Sequence, residues 1–102
     1  MNERETDIRD AIVEFLKLKR IFCWKDRQSA KRQGVGTVKS SKGVADILGI
    51  YAGRPLAIEV KKPGGTLSQE QHEWLTQFKD AGGIAFIATS VEECQKKLSE
   101  AK

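Results

Sequence analysis

The chain of 102 residues has few cysteines and no long apolar run. Its two cysteines, Cys23 and Cys94, lie far apart and form no CxxC pair. This usage is typical of a reduced, intracellular protein. No apolar segment approaches the roughly 18 residues that a membrane helix needs, and residues 1–5 are too charged for a signal peptide. The sequence therefore predicts a cytoplasmic protein without membrane association.

The chain also lacks internal repeats, low-complexity tracts and a linker. At this length it is predicted to form one domain over residues 1–102, with a single core of modest size. Gly34 and Gly36 are not followed by the Gly-Lys-Ser/Thr sequence of a P-loop, so we predict no nucleotide cofactor. The net charge of +4 is mild and permits a polyanionic partner without requiring one.

Hydrophobic periodicity predicts an α/β fold with the element order α-β-β-β-α-β-α, a mixed sheet flanked by helices. The predicted helices cover residues 5–19 and 68–81 and begin again at residue 90; the predicted strands cover residues 21–24, 44–51, 56–61 and 84–89. A turn over residues 52–55 should join the second and third strands as an antiparallel hairpin. Ser68 with Gln71, and Ser90 with Glu93, have the capping-box spacing at helix starts.

Three charged residues stand out because their segments are otherwise apolar: Asp46, Glu59 and Lys61. An isolated buried carboxylate costs many kcal/mol, so such groups are paired, metal-bound or neutralised. Mg²⁺ commonly takes one or two protein carboxylates and leaves room for waters and a phosphate oxygen. We therefore predict a metal site on Asp46 and Glu59, with the backbone carbonyl of Val60 as a further candidate ligand.

Lys61 follows Glu59 by two residues, so both side chains should project from the same face of the strand. Its ammonium could orient or deprotonate the attacking water, or stabilise charge in the transition state of phosphodiester cleavage. The alternative is structural: Glu59 and Lys61 form an ion pair, and Asp46 only forms a turn. A Glu-x-Lys tripeptide alone is a weak signal, but the apolar strand around Asp46 and the adjacent basic loop favour a site.

A basic segment precedes Asp46. Residues 25–42 show no periodicity and are predicted to form a long loop. Cations in this loop would contact phosphates and supply salt-dependent affinity without sequence preference. The predicted DNA-binding residues are Lys25, Arg27, Lys31, Arg32, Lys39 and Lys42. Trp24, which borders this loop, either belongs to the core or stacks on an exposed base.

Three sequence motifs surround the charged residues: Gly43-Val-Ala-Asp46-Ile-Leu-Gly49, Ile58-Glu59-Val-Lys61, and Leu67-Ser68-Gln-Glu-Gln71 followed by Ala81-Gly-Gly83. Together with Glu5-Thr-Asp-Ile8 at the start of the first helix, they resemble the virus-type replication-repair nuclease (VRR-NUC) domain, a branch of the PD-(D/E)xK superfamily, in its stand-alone form. The resemblance spans residues 5–93 and implies the restriction-endonuclease-like αβββαβ core. Ala45 stands where the superfamily often has proline.

The resemblance implies a catalytic triad of Asp46, Glu59 and Lys61, with Glu5 and Gln71 as auxiliary residues. Two readings of each auxiliary stay open. Glu5, like its acidic neighbours in the sequence, could instead stabilise the helix dipole on a solvated face.

Gln71 could act only as a helix cap towards Ser68, or it could project towards the sheet and hydrogen-bond to the metal-site waters or Lys61. The resemblance favours the second role. The neighbouring His72 points about 100° away from Gln71 on the helix and is predicted to lie on the surface.

The activity that the resemblance implies is Mg²⁺- or Mn²⁺-dependent endonucleolytic cleavage of structured DNA, in a bacterial or phage-infected cell. Small stand-alone members of the family resemble Holliday-junction resolvases, and paired cuts in a junction need two sites related by a dyad, so we predict a homodimer. The alternative is a catalytically silent nucleic-acid-binding module on the same fold. The intact Asp46, Glu59 and Lys61 favour the enzyme.

Overall fold

A computed structural model describes residues 4–26 and 43–101. The elements are α1 (Glu5–Leu18), β1 (Phe22–Lys25), β2 (Ile47–Tyr51), β3 (Arg54–Val60), α2 (Gln69–Asp80), β4 (Ile84–Ala88) and α3 (Val91–Glu100). The strands form one sheet in the order β1-β2-β3-β4, with β4 parallel to β3 and the other pairs antiparallel. The predicted element order and mixed sheet are confirmed. Within the described ranges, no helix is both long and apolar enough to cross a bilayer.

Helices α1 and α3 cover one face of the sheet with the larger of two hydrophobic clusters. Ile8, Ile12 and Leu16 form a stripe along α1, and Cys94 and Leu98 project from α3. They pack on alternate residues of the central strand β3, which are Leu56, Ile58 and Val60. A fully buried aliphatic side chain contributes roughly 1.5–3 kcal/mol to folding. This face therefore supplies much of the stability that holds β3 in place.

The opposite face carries small side chains beneath α2, namely Ala45, Ala57 and Ala85. Since an alanine projects little from the sheet, α2 can approach closely. Leu75 and the rings of Trp74 and Phe78, which stack with centroids 5.0 Å apart, fill the remaining space. Glu59 alternates with Ile58 and Val60 along β3, so its side chain lies on this α2 face.

The free edge of β4 is blocked by two long cationic side chains. Lys97 Nζ donates a hydrogen bond to the Ile87 carbonyl at 2.7 Å, and Arg54 Nη2 donates to the Gly83 carbonyl at 3.4 Å. Unpaired carbonyls on an edge strand are a template for a further strand. These contacts therefore protect the β4 edge against strand addition.

Trp24 does not belong to the core. Its side chain is 44% exposed and lies beside that of Phe22, with ring centroids 5.5 Å apart. Both side chains alternate along β1 with the buried Cys23. The alternative that Trp24 is a core residue is therefore wrong, and stacking on a base stays a prediction.

The β2–β3 hairpin differs from prediction at both ends. Strand β2 begins at Ile47 rather than at residue 44, since the chain bends at Asp46. The turn is Ala52–Gly53 alone, because Arg54 already pairs with Tyr51. The glycine and proline of residues 52–55 suggested a longer turn, but the proline lies inside β3.

The second capping box is only half formed. Ser90 Oγ accepts the Glu93 N–H at 3.0 Å, as the spacing predicts. The Glu93 carboxylate accepts the N–H of Thr89, at 2.7 Å, instead of that of Ser90. Side-chain conformation at the helix start, which spacing does not specify, decides between these two donors.

The hairpin turn generates a stability prediction. Ala52 has φ +52° and Gly53 has φ +81°, as a type I′ turn requires, and alanine rarely adopts this region. Ala52→Asn creates the favoured Asn-Gly pair and should raise the free energy of unfolding by roughly 0.5–1 kcal/mol. Gly53→Ala, which meets nothing within 4 Å, should lower it by roughly 1–2 kcal/mol through backbone strain alone.

Urea unfolding of both variants beside the wild type measures these changes. Equal stability of all three proteins would contradict the positive φ values of the turn.

Candidate active site

Four of the predicted site residues meet at one end of the sheet. The hairpin register pairs Ile47 with Ile58, so Asp46, just before β2, lies beside Glu59, near the end of β3. Lys61 follows β3 directly, and Gln71 lies in the first turn of α2. Residues that are distant in the sequence are thus brought together by one antiparallel register and one helix start.

Asp46 is fixed through both its backbone and its side chain. Its carbonyl accepts the N–H of Asp26 at 2.8 Å, which extends the β1–β2 pairing by one residue. Its Oδ2 accepts the N–H of Val60, also at 2.8 Å. The Asp46 carboxylate therefore acts as the hydrogen-bond acceptor for a backbone N–H of β3. This bond holds it next to Glu59, which precedes Val60 in the strand.

Glu59 is buried, with 2% of its surface exposed, and its two oxygens differ. Oε2 accepts a hydrogen bond from Gln71 Nε2 at 2.7 Å and lies 3.7 Å from Lys61 Nζ. Oε1 is buried and accepts no hydrogen bond from the described residues, but when Glu59 is protonated its carboxyl group can donate to Asp46. Buried polar atoms are nearly always paired, so the two carboxyl groups either share a proton or bind a ligand.

Gln71 caps α2 and projects towards the sheet at the same time, but its partner there is Glu59 rather than the predicted metal-site waters or Lys61. Its Oε1 accepts the Ser68 N–H at 2.9 Å and completes the capping box, while its Nε2 donates to Glu59. The two bonds fix the orientation of the amide, because the backbone donor requires the oxygen and the carboxylate requires the NH₂ group. The helix cap therefore aims a donor at the site.

Gly43 brings the chain before Asp46 into contact with α2. It has φ +84°, and a Cβ there would lie 2.4 Å from the Glu70 carbonyl oxygen and 2.9 Å from the Gln71 nitrogen. Neither the backbone conformation nor the space admits a side chain. The approach to Asp46 and the first turn of α2 are thereby packed directly on each other.

Burial raises the pKa of both carboxyl groups, and a hydrogen bond between the two side chains lowers the pKa of Asp46 and raises that of Glu59. Burial raises the pKa of Asp46, and the hydrogen bond from the Val60 N–H opposes this effect. Burial, followed by the negative charge of Asp46, raises the pKa of Glu59 to about 8, and Lys61 opposes this shift. Two adjacent carboxylates cannot both ionise at low cost without a neighbouring cation.

A divalent cation fits this arrangement. Asp46 and Glu59 offer hard oxygen ligands, Oε1 of Glu59 accepts no hydrogen bond from a described residue, and burial raises the pKa of both groups. No cluster of three His, Cys, Asp or Glu residues occurs within residues 4–26 and 43–101. Since Mg²⁺ commonly takes only one or two protein carboxylates, the pair suits that ion. The roles of these residues and of the Val60 carbonyl stay predictions.

The remaining predicted residues lie around or outside this centre. Glu5 is exposed in the first turn of α1, and its charge raises the pKa of both carboxyl groups, so it lies within electrostatic reach of the pair. Lys25 Nζ contacts Asp10 Oδ1 at 3.3 Å. His72 is exposed, as predicted. The other predicted DNA-binding residues lie outside the described residues: Arg27, Lys31, Arg32, Lys39 and Lys42.

Sequence reasoning missed Arg9, whose charge lowers the pKa of Asp46. Arg9 follows Glu5 by four residues, the spacing that places two side chains on one side of a helix. That spacing was the available signal. It was not decisive, because the position of α1 relative to Asp46 depends on the fold.

The pKa of Glu59 generates a prediction for stability. The folded protein keeps a proton on Glu59 up to about pH 8, whereas the unfolded chain releases it near the ordinary value of 4.5. Between these values the folded state binds more protons, so this group makes the metal-free protein less stable as pH rises. The glutamine of the Glu59→Gln variant cannot ionise. As pH rises from 5 to 8, the free energy of unfolding of this variant should therefore increase by a few kcal/mol relative to that of the wild type.

Urea unfolding in EDTA at both pH values tests this expectation. Glu92→Gln, at an exposed position of α3, is the matched control and should follow the wild type. A Glu59→Gln difference that is the same at both pH values would contradict the raised pKa.

Comparison with known proteins places the chain in a family. The model of the VRR-NUC domain matches residues 3–92. A solved structure described as a VRR_NUC domain protein is 18% identical, has a TM-score of 0.72, and is matched over 97% of this chain and 88% of that one, which supports the shared fold. None of the curated proteins matches the chain. With the family match over most of its length, the chain belongs to the VRR-NUC domain family of nucleases and has its nuclease-type fold.

Proposed function

We propose that this domain is a divalent-cation-dependent endonuclease that hydrolyses phosphodiester bonds in DNA. The observation that supports it most directly is the buried pair of Asp46 and Glu59 carboxyl groups, in which Oε1 of Glu59 accepts no hydrogen bond from a described residue. A pair that serves only the fold would be expected to have its oxygens satisfied by protein donors. Here Mg²⁺ or Mn²⁺, which are divalent cations that bind oxygen ligands, would supply the missing partner.

Each residue of the site has a separate task in this proposal. Asp46 and Glu59 hold the cation, with the Val60 carbonyl as a further ligand and Glu5 as an outer acid. Gln71 donates to Oε2 of Glu59 and so keeps Oε1 free. A bound cation would polarise the scissile phosphate and lower the pKa of a bound water.

Lys61 acts on the reacting phosphate itself. Its ammonium, 3.7 Å from Glu59 Oε2, lies on the same side of β3 as the carboxylate. From there it orients the attacking water and stabilises negative charge that develops on the phosphate oxygens. Only 14% of this side chain is exposed, so water screens its charge weakly.

The preferred substrate in this proposal is branched DNA, and the active species is a homodimer. A domain of this size has one site, and symmetric cuts in a four-way junction need two sites related by a dyad. Lys25 and the basic residues between positions 27 and 42 would bind the arms through phosphates. Light scattering of the protein with and without a junction tests the oligomeric state.

Cleavage assays with labelled linear duplex, flap and four-way-junction DNA test the activity. We expect cutting with Mg²⁺ or Mn²⁺ and none with EDTA, and a loss of at least about 100-fold in Asp46→Ala and Lys61→Ala, since each removes a charge that acts in the transition state. The conservative variant Asp46→Asn should also be inactive, because a neutral amide is a poor ligand for a hard cation.

Exposed Lys96→Ala, on α3, is the control and should cut like the wild type. Tight DNA binding without cutting under every metal would contradict the enzyme and support a silent binding module. Cutting by a monomer would exclude the paired-cut scheme but not the nuclease.

Variants of Ser68 and Gln71 distinguish the capping role of Gln71 from its role in the site. Ser68→Ala removes one bond of the capping box and should lower stability by about 1 kcal/mol with little effect on cleavage. Gln71→Ala removes the cap and the donor to Glu59, and a hydrogen bond to a charged group is worth about 1.5–3 kcal/mol. Cleavage by Gln71→Ala should therefore fall by about 10–100-fold.

Single-turnover cleavage rates and thermal unfolding of both variants are compared at one pH. If the two variants lose activity in proportion to their loss of stability, Gln71 acts only as a cap.

A further inference from the structure

The two edges of the sheet differ in how the fold protects them. The β4 edge is blocked by two cationic side chains, and β1 forms the other edge. The Asp26 N–H donates to the Asp46 carbonyl, so the backbone of Asp26 faces β2. Since this direction alternates along a strand, the backbone groups of Cys23 and Lys25 face away from the sheet. No described residue hydrogen-bonds to these groups, and the β1 edge is therefore open to a further strand.

The open edge also carries exposed apolar side chains. Phe22 is 70% exposed, and its ring lies beside that of Trp24. Ile50, which pairs with Phe22 across β1 and β2, is 44% exposed. Trp24 pairs with Leu48, which packs in the cluster beneath α2, so this patch lies on the α2 face of the sheet. Adjacent exposed apolar side chains mark an interaction surface.

A second copy of the chain fits this edge in one register. If two β1 strands pair antiparallel about a dyad at Trp24, Cys23 of each copy exchanges hydrogen bonds with Lys25 of the other. All outward-facing groups of these two residues are then satisfied. Trp24 faces its own counterpart as a non-hydrogen-bonded pair, with the Cα atoms about 4.5 Å apart. The two indoles can then pack against each other across the dyad.

The charges on α1 are complementary in the same arrangement. Asp10 Oδ1 lies 3.3 Å from Lys25 Nζ, so this flank of α1 lies over β1. Lys17 is two turns further along the same flank. The Ile21 N–H donates to the Leu16 carbonyl and returns the chain to β1, so α1 and β1 run in opposite directions. The dyad therefore places Asp10 of each copy beside Lys17 of the other.

We infer that the β1 edge is the dimer interface, through which two copies of this chain form one continuous sheet. This inference rests on the homodimer of the proposed function and identifies its contact surface. A dyad perpendicular to the sheet keeps both α2 faces on one side, so both carboxyl pairs can face one DNA molecule. Glu59 lies two residues beyond Ala57, which is in the row of Trp24 and Leu48. Standard strand spacings then place the two Glu59 residues about 25–30 Å apart.

The area of the patch determines the expected strength of association. With roughly 200 Å² for a fully exposed large side chain, the exposed parts of Phe22, Trp24 and Ile50 amount to about 300 Å² per copy. A standard interface buries about 800 Å² per partner. We therefore expect a weak dimer, with a dissociation constant in the micromolar range. A junction that contacts both sites should strengthen it, because the DNA links the two copies.

Disulfide cross-linking tests the register, with and without a four-way junction in EDTA. The native Cys23 and Cys94 are buried, and the wild type should stay uncross-linked. Trp24→Cys should give a covalent dimer under mild oxidation, because a Cα separation of about 4.5 Å suits a disulfide. Phe22→Cys replaces a more exposed side chain, but its counterpart lies about 13 Å away along the strand. This control should not cross-link.

A pair of variants at one position tests the strand pairing itself. Lys25→Pro removes an outward-facing N–H and no bond between β1 and β2, so the domain should fold but stay monomeric in light scattering. Lys25→Ala also removes the side chain but keeps the N–H, and it should dimerise like the wild type. Circular dichroism and the Tm of both variants establish that the fold is retained.

The results that would overturn the inference differ from those that would overturn the nuclease. A dimer that forms without the Trp24→Cys cross-link, or that persists in Lys25→Pro, has its interface elsewhere. A protein that stays monomeric with the junction also refutes the inference. If Trp24→Ala stays fully dimeric but binds the junction more weakly, the aromatic pair contacts DNA bases instead. Cross-linked dimers that neither bind nor cut DNA would refute the nuclease and support the interface.

Discussion

The burial of two carboxyl groups side by side is the constraint on which the rest of this structure depends. Removal from water disfavours the charged form of Asp46 and of Glu59, and the charge of Asp46 further raises the pKa of Glu59. The fold opposes separation in three ways: the hairpin register, the bond from the Val60 N–H to Asp46, and the bond from Gln71 to Glu59. The chain thus holds an arrangement that would relax if any of these contacts were absent.

The two faces of the sheet contribute differently to holding this pair of carboxyl groups. The face under α1 and α3 is aliphatic and nearly closed to solvent, and it anchors β3 through alternate residues. The other face is lined by alanines, so α2 lies close to the strand and its first turn can reach Glu59. Stability is concentrated on one side of β3, and the costly charges lie on the other. This separation allows a small domain to hold a buried pair of carboxyl groups.

The sequence was sufficient for the features that depend on local pattern. Helix α1, the hairpin and the start of α2 at Ser68 follow from periodicity, turn residues and capping spacing. Asp46, Glu59 and Lys61 were selected as candidates because charge is rare in buried strands, and the short turn brings the first two together. The simultaneous roles of Gln71 and the position of Arg9 could not be derived in this way, because both depend on how a helix is placed against the sheet. The bend at Asp46 could not be derived either, because it depends on the tertiary hydrogen bond from the Val60 N–H to the Asp46 side chain.

The same electrostatics couple the ligands of the site to each other. Ionised carboxylates are needed to bind a cation, so cation binding must release the protons that the raised pKa values retain, and affinity should increase with pH. A cation that neutralises Asp46 and Glu59 also removes the negative field that would repel a phosphate. In the proposed function, a bound phosphate would in turn supply acceptors for Lys61. Under the proposed function, cation and DNA would therefore each lower the electrostatic cost of binding the other.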